Sequence, residues 1–139
     1  MEITEVRVKL VTNKDDRLKA FCSMTFDNCF VVRDIKIIEG ANGLFVAMPS
    51  RKMSDHCDNC GGKNYLRARF CSNCGTKLDE NRNPRGDHGR VKLHADIAHP
   101  IDSDCRDMIH HAIIKAFNEE VMRSGEPGYK PQDFDTPDY

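Results

Sequence analysis

Two short cysteine motifs constrain the fold of this chain more than any other feature of its 139 residues. Cys57 and Cys60 are separated by two residues and followed by a glycine, and Cys71 and Cys74 repeat that arrangement. Two cysteines at this spacing lie on one tight turn, so both sulfurs face the same ion, and the glycine allows the backbone to turn without a Cβ clash. We therefore predict a tetrahedral Zn²⁺ site with four thiolate ligands and no open position, which makes the ion structural.

The alternatives for these four cysteines are a pair of disulfides or two redox-active C-x-x-C motifs. The chain has seven cysteines, and an odd number fits metal binding in a reducing compartment better than a disulfide framework. His56 adjoins Cys57 and is an alternative ligand, but a position on a solvated loop is favoured. The other three cysteines lie on apolar stripes, and we expect core packing for Cys22, Cys29 and Cys105.

Charge is distributed unevenly along the chain. The net charge is −1, yet residues 51–90 hold nine basic and five acidic residues, and this segment contains the cysteine motifs and two aromatic residues. Cations neutralise phosphates and aromatic rings stack on bases, so we predict a nucleic-acid-binding surface. Its predicted residues are Arg51, Lys52, Lys63, Arg67, Arg69, Lys77, Arg82, Arg85 and Arg90, with Tyr65 and Phe70 as the rings.

The charge pattern alone supports a second explanation equally well, in which the basic residues keep a small module in solution. Four thiolates around one Zn²⁺ carry a formal charge of −2, which halves the basic excess of the segment. Charge therefore leaves the choice between these explanations open.

The first fifty residues predict an antiparallel sheet. Apolar and polar residues alternate in segments 5–10 and 17–26, and residues 29–38 form a return strand after a two-residue turn at Asp27 and Asn28. That turn places Phe26 opposite Cys29 and assigns Val31 to the core face. The other face then carries Phe21, Phe30, Val32 and Ile38. Since one helix covers one face, we expect a second subunit on the other face, and therefore a homodimer.

The remaining chain completes an α+β fold. Residues 44–48 and the alternating segment 91–97 predict two further strands. Asp102 is a helix N-cap, Gly125 ends the helix, and its apolar stripe is Cys105, Ile109, Ala112, Ile113, Ala116, Phe117 and Val121. We predict a twisted antiparallel β-sheet with a C-terminal helix, formed by residues 1–52 and 90–124. Residues 53–89 form an inserted zinc ribbon, and residues 125–139 an acidic, disordered tail.

No motif places a nucleophile beside a base, and no glycine-rich phosphate loop occurs, so we do not expect an enzyme. No segment approaches the roughly 20 apolar residues that a membrane span needs. The first five residues are acidic where a signal peptide is basic. We expect a cytoplasmic protein that has no membrane partner.

Four stretches of the sequence resemble the SpoVG septation-regulator family: residues 1–7, 30–36, 42–52 and 96–101. The resemblance covers 1–52 and 90–124 in order and is interrupted by the cysteine module. It implies a small bacterial cytoplasmic protein, dimeric, with an antiparallel sheet and a C-terminal helix. It further implies binding of DNA and RNA in septation, sporulation and gene regulation, with nucleic-acid contacts at Arg51, Lys52 and Arg90.

Two other functions fit the sequence. The zinc ribbon could dock a protein partner, which would make the chain an interaction adaptor. Alternatively, the four thiolates could release zinc on oxidation, which would make the chain a redox sensor.

Overall fold

The computed structural model describes residues 1–13, 15–79 and 93–132. The chain divides into two compact units, which are Met1–Pro49 with Ala98–Tyr139, and Ser50–Ile97. The second unit is longer than the predicted insertion, residues 53–89, because it includes a pair of short strands at its two ends. None of the helices in the described part of the chain is long and apolar enough to span a membrane.

The first unit contains a four-stranded antiparallel sheet. Its strands follow one another in chain order: β1 (Ile3–Leu10), β2 (Leu18–Phe26), β3 (Phe30–Gly40) and β4 (Gly43–Ala47). Alternating apolar side chains on each strand point to one face and form the core, where Val8, Met24 and Ile35 are almost fully buried.

One helix, α1 (Ser103–Ser124), covers that face of the sheet. The Oδ1 atom of Asp102 accepts a hydrogen bond of 2.7 Å from the backbone N–H of Cys105, as predicted for the N-cap. Ile109, Ile113 and Phe117 pack into the core. The predicted α+β class, an antiparallel sheet with a C-terminal helix, is confirmed.

The turn between β2 and β3 differs from the prediction. It contains three residues, Asp27, Asn28 and Cys29. Asp27 and Asn28 have φ angles of 49° and 55°, and the N–H of Cys29 donates a hydrogen bond to the carbonyl of Phe26. Phe26 consequently pairs with Phe30, and the predicted pairing of Phe26 with Cys29 is wrong. Cys29 lies in the turn and is exposed, so its predicted place in the core is also wrong.

A β-bulge in β3 reverses the faces of the residues next to the turn. Asp34 has a φ angle of 62°. Cys22 pairs with Ile35 and Met24 pairs with Val32, so β3 has one more residue than β2 between these two pairs. One extra residue moves every side chain beyond it to the opposite face. Val32 therefore packs against the core and Val31 is exposed, which reverses the predicted assignment of both residues.

The last turn of α1 also departs from the predicted apolar stripe. Val121 is exposed, and Glu120 is buried in its place. The carboxylate of Glu120 accepts two hydrogen bonds from the guanidinium of Arg123, at 2.8 and 3.2 Å, which compensates for its burial. Arg123 also donates a hydrogen bond to the carbonyl oxygen of Lys130.

Residues 125–132, the first part of the predicted tail, lie against the first unit. The ring of Tyr129 packs on the guanidinium of Arg123, and the Oε1 atom of Gln132 accepts a hydrogen bond of 2.7 Å from the N–H of Val8. Val8 belongs to β1, an edge strand, so this side chain pairs one of its free backbone groups. The rest of the predicted tail, residues 133–139, is outside the described residues.

The second unit contains two small two-stranded sheets. Strand β5 (Ser50–Lys52) pairs with β8 (His94–Asp96), and β6 (Ser54–His56) pairs with β7 (Lys63–Tyr65). Met53 joins them, because its N–H bonds to the carbonyl of Leu93 and its carbonyl accepts from the N–H of Leu66. The predicted final strand, 91–97, is shorter in the structure, and residues 91 and 92 are outside the described part.

Candidate functional site

The two cysteine motifs form two turns of the same geometry. In the first turn, the N–H of Cys57 bonds to the carbonyl of Gly62 and the N–H of Gly61 bonds to the carbonyl of Cys57, both at 2.8 Å. The second turn repeats both bonds at 2.9 Å. Gly61 and Gly75 have φ angles of 77° and 80°, a conformation in which a side chain is strained, which explains the glycine after each pair.

The two turns bring all four predicted ligands together. The Sγ atoms of Cys57, Cys60, Cys71 and Cys74 lie within 4.8 Å of one another, with Cys60–Cys71 at 3.5 Å and Cys57–Cys74 at 3.8 Å. Thiolates about 2.3 Å from a tetrahedral metal ion are about 3.8 Å apart, whereas disulfide sulfurs are about 2.05 Å apart. The four sulfurs are thus spaced as ligands that could hold a metal ion.

Two asparagines connect the turns through the sulfurs, a feature that the sequence interpretation missed. The Nδ2 atom of Asn59, in the first motif, lies 3.5 Å from Sγ of Cys74 in the second. Reciprocally, Nδ2 of Asn73 in the second motif lies 3.4 Å from Sγ of Cys60 in the first. The signal in the sequence is an asparagine immediately before the second cysteine of each motif. Such donors orient and stabilise thiolate ligands.

Asn64, on β7, is a further connection between the turns. Its side chain is buried, donates to the carbonyl of Gly62 at 3.2 Å and accepts from the N–H of Ser72 at 2.9 Å. A buried amide with both ends bonded fixes the distance between the segments that it joins. Nothing in the periodicity of the sequence singles out this residue.

Hydrogen bonding makes two of the sulfurs acidic. A hydrogen bond from Asn59 is the largest cause that lowers the pKa of Cys74 to about 5, and one from Asn64 lowers the pKa of Cys71 to about 7. By contrast, burial in the core raises the pKa of Cys22 to about 12. The pKa of Cys57, in contrast, is raised. At neutral pH Cys74 is therefore a thiolate and Cys71 is partly ionised, and the thiolate is the protonation state that binds metals.

His56 does not join this cluster. Its Nδ1 atom lies 3.0 Å from the carbonyl oxygen of Gly61, and its ring nitrogens are not among the atoms that converge. The histidine alternative that the sequence left open is thus not the arrangement in the structure.

The predicted basic residues of the second unit lie on its surface. Six of them are described, and all six are exposed: Arg51, Lys52, Lys63, Arg67, Arg69 and Lys77. Within residues 50–79 and 93–97, none of the six forms a salt bridge. The two predicted rings, Tyr65 and Phe70, are 58% and 60% exposed. Arg82, Arg85 and Arg90 lie outside the described residues.

A cleft of about 440 Å³ is lined in part by Lys52, Tyr65 and Arg67, and no pattern in the sequence indicates it. Met53, Leu66, Ala68 and Leu93 supply its apolar lining, and Lys52, Tyr65, Arg67 and His94 complete it. The Nζ atom of Lys52 lies 5.0 Å from the centre of the Tyr65 ring, a cation–π contact.

Comparison with known proteins gives consistent results. The SpoVG family model matches residues 1–119 of the chain. A protein from Caldicellulosiruptor saccharolyticus is 41% identical over 126 residues, which are 91% of this chain and the whole of that protein. Relatives from Bdellovibrio bacteriovorus and Clostridioides difficile are 38% and 36% identical, over 91% and 88% of this chain and 82% and 94% of their own lengths. All three are named "Putative septation protein SpoVG".

Proposed function

The chain belongs to the SpoVG family, which confirms the resemblance in its sequence, and we propose that it is a nucleic-acid-binding regulator of septation or gene expression, including sporulation. The shared name of its relatives supports the role in septation. The single observation that supports nucleic-acid binding is the surface of the second unit, with six exposed cations, two exposed rings and no described salt bridge on any of the cations. The proposed role is binding, and no step of it requires a catalytic residue.

The metal in this proposal is Zn²⁺, held by Cys57, Cys60, Cys71 and Cys74. Four cysteines at tetrahedral spacing match the ligand set of structural zinc sites, in which no position remains for water or substrate. Bound zinc would hold the two turns together and neutralise part of the thiolate charge. The second unit would then be a zinc ribbon that presents the basic residues in a fixed arrangement.

In the proposed mechanism, the exposed cations neutralise phosphates and release counterions, while Tyr65 or Phe70 stacks on a base. Affinity then falls linearly with salt on logarithmic axes, with a slope of about −0.7 to −0.9 per phosphate contact. DNA and RNA both carry the groups that this surface would contact.

The proposal is tested by salt titrations that compare two triple variants of equal charge. We expect Lys63→Ala, Arg69→Ala and Lys77→Ala together to reduce the slope by about 2 to 3, measured by fluorescence anisotropy with labelled oligonucleotides. The control combines three exposed cations of the first unit, Lys9→Ala, Arg106→Ala and Lys115→Ala. If both triple variants reduce the slope equally, net charge and not the ribbon surface determines binding. If neither changes it, a docking role for the ribbon, toward a protein partner, replaces the proposal.

The second part of the proposal is a homodimer. α1 covers one face of the four-stranded sheet, and the other face exposes Phe21, Val31 and Phe45 to 37%, 44% and 44%. Large apolar side chains exposed on a sheet face are characteristic of association surfaces. A second copy of the same face is the partner that symmetry favours.

A further inference from the structure

The apolar cleft of the second unit has the chemistry of a site for one unstacked nucleobase. We infer that it receives a base from a single strand, so that the protein binds single-stranded nucleic acid in preference to duplex. This inference rests on the proposed function and adds to it the form of nucleic acid that the surface selects.

The lining of the cleft matches a planar aromatic ligand. Four of its eight described lining residues are aliphatic, and one of these, Leu66, is almost fully buried. Tyr65 adds an aromatic ring, and this residue is 58% exposed. Every base has a π-face, and stacking on an aromatic side chain is the interaction that single-strand-binding proteins use without regard to sequence.

The charges around the cleft match a phosphate. Lys52 and Arg67 line it, and no acidic residue is among the eight described residues that do. The ammonium group of Lys52 is 5.0 Å from the centre of the Tyr65 ring, so a nucleotide that stacks on this ring has a cation within reach of its phosphate. An apolar peptide segment would make no use of these cations.

The size of the cleft is that of a site for a small group. Its volume of about 440 Å³ is at the small end of the range for ligand sites. A duplex keeps its bases stacked between two backbones and offers only their edges in its grooves. An unpaired base presents its flat face, which the cleft accommodates.

The backbone of Met53, one of the lining residues, is already paired. Both backbone groups of Met53 are hydrogen-bonded, to Leu93 at 2.8 Å and Leu66 at 3.2 Å. They are therefore not the groups that read the edge of a base, and the inferred recognition is by stacking and charge. We expect single strands of different sequence to bind with similar affinity.

The experiment measures affinities of the zinc-loaded, full-length protein for a single-stranded oligodeoxynucleotide, an oligoribonucleotide of the same sequence, and the corresponding DNA duplex. Tyr65→Ala should weaken single-strand binding about 5- to 150-fold, the loss of one base–ring stack, and leave duplex binding and the salt slope unchanged. Tyr65→Phe should retain the affinity. Lys63→Ala, which removes a phosphate contact, should weaken single-strand and duplex binding alike. The two single-stranded arms show whether DNA or RNA is the better ligand.

Tyrosine emission provides a second measurement. The chain contains three tyrosines and no tryptophan, so Tyr129→Phe with Tyr139→Phe leaves Tyr65 as the only tyrosine. Single strands, but not duplex, should quench its emission. Bound zinc of one ion per chain in each Tyr65 variant verifies that the second unit remains folded.

The outcomes separate this inference from the proposed function. If the wild-type protein binds no nucleic acid, both are overturned. If it binds but Tyr65→Ala has no effect, or weakens single-strand and duplex binding equally, the cleft is not a base site and the proposed function stands. If Tyr65→Leu retains full single-strand affinity, apolar area without stacking is sufficient, which contradicts the inference and favours an apolar peptide as occupant.

Discussion

Removing the zinc ion that we propose should unfold the second unit and leave the first unit folded. Among the described residues of the second unit, the buried apolar side chains are Leu66, Leu78 and two of the cysteine ligands. Burial of two leucines contributes about 3 to 6 kcal/mol, whereas a structural zinc ion contributes about 10 to 16 kcal/mol to the folding of a small module. The proposed ion would therefore be the larger stabilising contribution. The first unit depends instead on its own core of ten buried residues.

Amide hydrogen exchange measured by NMR tests this prediction directly. After chelation, amides in 50–79 and 93–97 should lose protection, while those of β2, β3 and α1 retain it. Cys57→Ser should reproduce the effect, and Cys29→Ser, at an exposed cysteine outside the cluster, should not. Protection of the second unit that persists without metal would show that its hydrogen bonds and two leucines suffice. The structural role assigned to zinc would then be incorrect.

Two further predictions concern the ligand set and the assembly. Because its folded-state pKa is depressed to about 5, the thiolate of Cys74 contributes stability above its unfolded pKa, and that contribution is lost as pH falls through about 5. Asn59→Ala should raise this pKa, move zinc release on acidification to higher pH and weaken zinc binding about 10- to 100-fold, measured with a chromophoric chelator. An unchanged release profile would show that Asn59 does not stabilise the thiolate. Phe21→Glu with Phe45→Glu should convert the proposed homodimer to a monomer in sedimentation equilibrium, with the helical signal of the protein retained. A wild-type monomer would contradict that assembly.

The cysteine site was predictable because its information is local. Two residues between the cysteines and one glycine after them determine each turn, and the structure forms both turns as that spacing requires. The helix was predictable for the same reason, since Asp102 caps it within one turn. Its C-terminal end was not, because Glu120 is buried only where Arg123 compensates its charge.

The register of the sheet was not predictable from periodicity. Alternation identifies which residues share a face, but it holds only as far as the strand is regular. The left-handed conformation of Asp34 and the third residue of the turn each shift the register by one, and no apolar pattern records such a shift. The cleft and the reciprocal contacts of Asn59 and Asn73 also depend on distant segments, which the sequence brings together only once it has folded.

The ends of the second unit explain how a family domain accommodates it. β5 and β8 are antiparallel neighbours, and Ser50 pairs with Asp96, so the chain leaves and returns at adjacent positions. An insertion with adjacent ends adds little loop-closure entropy, and none of its described residues belongs to the core of the first unit. Stability of the first unit and organisation of the basic surface therefore depend on different interactions. If zinc organises the second unit, loss of the ion should disorder its basic residues and its cleft, while the first unit remains folded.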